Sequence, residues 1–94
     1  MSYSDEQRFV ASEDALARVL DGELVMLDLK SGTYFGMNEV GARVWEILTT
    51  GANIAAAIEI LLTEFAVEKA TLRADVQTLL AQLIEQGLIQ PVEA

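Results

Sequence analysis

"SGTYFGMNEVGARVWEIL", residues 31–48, changes its period in the middle. Up to Met37 it reads as a strand leaving a Ser31-Gly32 turn, whereas from Asn38 onward Val40, Val44, Trp45 and Leu48 recur at helical spacing. A short strand therefore runs into a helix with no linker. Upstream, "ALARVLDGELVMLDLK" (15–30) holds two apolar runs split by Asp21-Gly22, a strong hairpin signal. The spacing predicts a three-stranded antiparallel meander over about 15–20, 23–30 and 33–37, with the second strand in the middle and the third at an edge.

Two-residue turns at both hairpins would set Val19 opposite Leu24, Ala17 opposite Met26, Leu29 opposite Tyr34 and Leu27 opposite Gly36. One face then collects Val19, Leu24, Met26, Phe35 and Met37, and the other Leu16, Val25, Leu27, Leu29 and Tyr34. Both faces are apolar. Helices of a domain this small cover only one, so the other calls for the N-terminal segment or a partner.

Downstream, three helices are expected. Asn38 is a good N-cap for the first, which ends near Gly51, and Asn53 caps a second on the stripe Ile54, Ile58, Leu61, Leu62, Phe65. The third runs from about Lys69 to Gln86 on Leu72, Val76, Leu79, Leu80 and Leu83. Gly87 stops it as a C′ residue, with Leu88 placed to touch Leu83, and Pro91 forbids resumption. A helix-turn-helix pair beside a small sheet is the parts list of a winged-helix domain, so the expected class is α+β and winged-helix-like. Its span is 15–90, between an N-terminal segment, 1–14, expected to be flexible although Phe9 and Val10 could dock, and a C-terminal tail, 91–94.

Composition narrows the function. The 94 residues are 52% hydrophobic, enough for one modest core. Cysteine and histidine are absent, which removes disulfides, thiolate chemistry, histidine acid/base catalysis and the usual zinc sites. Fifteen acidic residues against six basic ones give a net charge of −9, a field that repels a phosphate backbone, and the basic residues are scattered. No phosphate loop, paired catalytic carboxylates or nucleophile with a base is present, so neither enzyme chemistry nor a cofactor is expected. "MSYSDEQ" lacks the blocks of a signal peptide and no apolar run reaches the length of a membrane span, so the expected location is cytoplasmic.

Most conspicuous side chains have a packing explanation. Trp45 lies on the apolar stripe of the first helix and is read as core, and Met26 and Met37 as packing. Tyr34, on an edge strand with a polar tip, fits a core or a binding role equally. The carboxylates read as a solvated shell. Lys69 and Arg73 share one face at a helix start, where the macrodipole disfavours cations, which suggests an acidic partner.

"YFGMNEVGARVWE" (34–46), "FAV" (65–67) and the run from "LRADV" to "GLI" (72–89) resemble the PqqD-like family, over about residues 15–90. The resemblance implies a winged-helix, non-catalytic recognition element for precursors of ribosomally made, post-translationally modified peptides. It implies capture of a leader peptide as an added strand on Thr33, Tyr34, Phe35, Gly36 and Met37. The opposite wall is the third helix, with Lys69, Leu72, Arg73, Val76 and Leu80 as its candidate contacts. The leader would be presented to a maturation enzyme such as a leader peptidase, cyclase or radical enzyme. The "GTYFGMNEVGARVWE" junction is unlike the pyrroloquinoline quinone type and points toward stand-alone proteins of other pathways, such as lasso peptides; Glu68 stands where a better helix cap would be expected. The competing functions are a winged-helix DNA-binding regulator, which the charge opposes, and a structural or dimerising subunit using the apolar sheet face. The expected partners are a leader peptide and an enzyme, with neither nucleic acid nor membrane, and the expected state is a monomer or weak dimer.

Overall fold

The computed structural model describes residues 3–92. Its elements in chain order are β1 (Phe9–Ala11), β2 (Ala15–Leu20), β3 (Glu23–Asp28), β4 (Thr33–Met37), α1 (Glu39–Thr49), α2 (Ile54–Glu64), α3 (Lys69–Glu85) and β5 (Ile89–Pro91). β2-β3-β4 form the expected antiparallel meander and β1 pairs with β5 in a second, two-stranded sheet. The fold is α+β.

The first hairpin is a two-residue turn. Asp21 (φ 52°) and Gly22 (φ 81°) both take left-handed conformations, which sets Val19 opposite Leu24 and Ala17 opposite Met26 as expected. The second hairpin differs: its loop is Leu29–Gly32, so Leu27 lies opposite Tyr34 and Val25 opposite Gly36. Asp28 is the cause. Its carboxylate accepts from the Lys30 N–H (3.1 Å) and the Ser31 hydroxyl (3.0 Å), while its carbonyl accepts from the Gly32 N–H (2.8 Å). The strand ends two residues early and the register moves by two, which leaves every side chain of β4 on its predicted face.

The helices begin and end where their caps dictate. Asn38 accepts from the Gly41 N–H (2.9 Å) and Asn53 from the Ala56 N–H (2.8 Å), whereas Glu68 makes no capping bond. At the end of α3, Gly87 (φ 74°) and the Leu88 N–H to Leu83 carbonyl bond (2.9 Å) close a Schellman turn. Leu24 and Met26 pack on the buried stripes of the three helices, and Trp45 is core.

The N-terminal segment is a correction. Phe9 is 2% exposed, Tyr3 meets it edge to face with ring centroids 5.5 Å apart, and β1 pairs with β5. Tyr3 exchanges two hydrogen bonds with the Gln77 amide (3.1 Å each), Asp5 is ion-paired to Arg73, and Arg8 donates to the Gly51 carbonyl. The segment expected to be loose is therefore part of the domain from Tyr3 onward, because the chain after Gly87 presents Leu88 and Ile89 as an apolar edge that needs a partner strand. Residues 1, 2, 93 and 94 of the expected flexible segment and tail lie outside the described residues. The segment does not cover the outer sheet face, where Leu16, Leu20 and Tyr34 remain exposed.

Candidate peptide-binding site

The outer edge of β4 is built by ladder parity. In an antiparallel sheet a middle strand directs successive residues' backbone groups to alternate neighbours. The Leu29 N–H bonds the Asp14 carbonyl (2.8 Å), so odd residues of β3 face β2 and even ones face β4. Asp28, Met26 and Leu24 therefore engage Thr33, Phe35 and Met37. The N–H and C=O of Tyr34 and Gly36 point away from the sheet. Tyr34 is 70% exposed, and a Cβ added at Gly36 would meet nothing within 4 Å, so the approach to this edge is open.

A groove runs beside the edge. Its larger cavity, about 390 Å³, lies between the end of β4, the start of α1 (Val40, Gly41, Val44) and α3 (Leu72, Asp75, Val76, Leu79). A second of about 280 Å³ shares Gly36, Met37 and Leu79 and continues past Phe35 toward Gln82, Leu83, Gln86 and Leu88. The linker-free strand-to-helix junction forms the corner of this groove. At Gly41 a Cβ would stand 3.2 Å from the Met37 Cβ, so glycine lets α1 start directly against the strand. The edge is thereby fixed to the core rather than carried on a loop.

Outside the groove, Arg43 on α1 clamps Glu64 of α2 through its Nε (2.7 Å) and Nη2 (2.9 Å) and also reaches Glu46 (3.0 Å). The hydrogen-bonded guanidinium holds the Glu64 carboxyl below the usual range, and the two carboxylates raise Arg43. This clamp ties the two helices together and leaves the groove wall uncharged on the α1 side.

The residues expected to bind separate into three groups. Thr33, Tyr34, Phe35, Gly36 and Met37 form the edge strand, and Leu72 and Val76 line the groove. Leu80 is fully buried and belongs to the core. Lys69 and Arg73 lie on the opposite flank of α3, where Lys69 pairs with Glu59 (3.1 Å) and Arg73 with Asp5, so neither faces the groove. Their shared face answers acidic groups of the chain itself. Val40, Val44, Asp75, Leu79, Gln82 and Gln86, not among the expected contacts, also line the groove. Positions 72, 75, 79, 82 and 86 recur at helical spacing, and that periodicity is the signal that identifies the flank.

Residues 23–89 match the family model described as Coenzyme PQQ synthesis protein D (PqqD). The chain belongs to the PqqD family. Among solved structures, this PqqD-family chain resembles TbiB1 in complex with the TbiA(beta) leader peptide, at 28% identity and a TM-score of 0.81, over 90% of this chain and 99% of that one. It also resembles lasso peptide synthetase B1 complexed with the leader peptide, at 27% identity and a TM-score of 0.80, over 89% and 99% of the respective chains. No curated protein sequence matches it. Among the described residues of this PqqD-family protein, no group of acidic side chains is placed to hold a metal ion and no helix is long and apolar enough to cross a membrane.

Proposed function

We propose that this protein captures the leader of a ribosomally made precursor peptide by strand addition at β4 and presents it to a maturation enzyme in the cytoplasm, without catalysing a reaction itself. The observation that carries this is the free edge of β4: the outward backbone groups of Tyr34 and Gly36 stand beside an apolar groove walled by α3. Backbone pairing supplies affinity and the groove accepts alternate side chains of the added strand. The two similar structures solved in complex with leader peptides support a leader as the ligand. DNA recognition by α3 is disfavoured because Lys69 and Arg73, its only cations, are both paired within the chain.

Titration calorimetry with the synthetic leader of a precursor encoded beside this gene tests the proposal. Saturable one-to-one heat is expected, with a dissociation constant of about 1 μM or below, equivalent to about −8 kcal/mol, and a negative heat-capacity change from apolar burial. Absence of binding at high micromolar concentration would contradict it.

A further inference from the structure

The two flanks of α3 carry different chemistry, and the difference specifies the peptide. On one flank Lys69, Arg73 and Gln77 are committed to Glu59, Asp5 and the backbone of Tyr3. On the other, Leu72, Asp75 and Leu79 face the larger cavity and Gln82 and Gln86 the smaller. Among the described residues, Asp75 is the only charged one lining either cavity. Its helical neighbours Thr71, Leu72, Thr78 and Leu79 carry no charge. Among the described residues it makes no ion pair and no side-chain hydrogen bond. It also lies beyond the first turn of α3, where the macrodipole stabilises carboxylates.

A peptide seated in the groove strips water from this carboxylate. With an apolar or acidic side chain opposite, that desolvation goes uncompensated, whereas a cation restores a charge-assisted hydrogen bond. The net charge of −9 acts in the same sense at longer range. We infer that Asp75 is a specificity-determining residue that reads a lysine or arginine of the leader. The groove then takes an apolar segment carrying a cation at a fixed spacing from the side chain that fills the larger cavity. This rests on leader capture at the β4 edge and adds the sign of the charge that the groove selects, opposite to the acidic partner that Lys69 and Arg73 suggest by sequence alone.

A messenger-RNA display library of random peptides, selected against the full chain and in parallel against Asp75→Asn, tests it. Asp75 is exposed, so the substitution leaves the core intact. Binders of the native chain are expected to share a Lys or Arg at fixed spacing from an apolar residue, and binders of the variant to lack that preference. Replacing the shared cation by Gln in one synthesised binder should weaken binding to the native chain about fivefold, near the upper range for a pair that keeps one side in water, and leave binding to Asp75→Asn unchanged. Binders with no basic preference, or an equal loss on both chains, overturn the role of Asp75; if those binders also weaken on Tyr34→Pro, strand addition stands without it. A library that yields no binder defeats both.

Discussion

Phe9→Ala lowers the unfolding free energy by about 3–4 kcal/mol, the usual cost of emptying a buried aromatic site. Phe9 is 2% exposed and sits where β1 closes over β5, so the substitution removes core contacts and the edge-to-face contact with Tyr3 together. For a domain of this size, with a slope of about 1 kcal/mol per molar urea, the midpoint falls by about 3–4 M. Val10→Ala on the same strand is the control: Val10 is exposed, and its loss should shift stability by no more than about 0.5 kcal/mol. Equal midpoints for both variants would show that the N-terminal segment is not integral to the core. The consequence reaches the site, because β1 holds β5, and β5 follows the Schellman turn that ends the helix walling the groove.

Tyr34→Pro binds leader at least about tenfold more weakly than Tyr34→Ala, the ~1.4 kcal/mol expected when one hydrogen bond is lost and its partner is left unpaired. Proline deletes one outward N–H and spares the ladder to β3, since residue 34 does not bond that strand. Thr33, which precedes it, is already extended, so the restriction proline imposes on its neighbour costs little. Alanine removes the same side chain and keeps the N–H, which isolates the backbone contribution. Circular dichroism should show both variants folded. Equal affinities would mean that the peptide does not pair with this edge.

The parts of the fold written in local chemistry were legible in the sequence. Asp21-Gly22 dictates a two-residue turn, Asn38 and Asn53 cap their helices, and Gly87 terminates α3, each through bonds a few residues long. The Leu29–Gly32 loop was not, because the Asp28 carboxylate competes for the turn's N–H and hydroxyl donors and no hydrophobic pattern records that. Phe9 and Val10 read as able to dock, but the strand they form with β5 was not legible: that partner lies at the other end of the chain, and pairing at that separation leaves no periodic trace.

The candidate site divides in the same way. The β4 edge followed from the meander alone and survived the register shift because a move of two residues preserves parity. On α3 the buried stripe and the groove flank are adjacent on a helix of 3.6 residues per turn. Hydrophobicity marks Leu80, which is core, while Asp75, Gln82 and Gln86 on the adjacent flank carry no apolar signal. Lys69 and Arg73 are paired with Glu59 and Asp5, which come from α2 and the N-terminal segment, at separations that no local pattern records.

Amide hydrogen exchange at single-residue resolution, with and without saturating leader, tests strand addition most directly. In the free protein Phe35 and Met37, bonded to β3, should already be protected, and Tyr34 and Gly36 should exchange rapidly from the open edge. Leader binding is predicted to slow Tyr34 and Gly36 by about tenfold or more, the ratio expected when an amide gains a hydrogen bond worth about 1.4 kcal/mol in the bound state. Saturable binding with Tyr34 and Gly36 still exchanging at their free rates would contradict strand addition at β4.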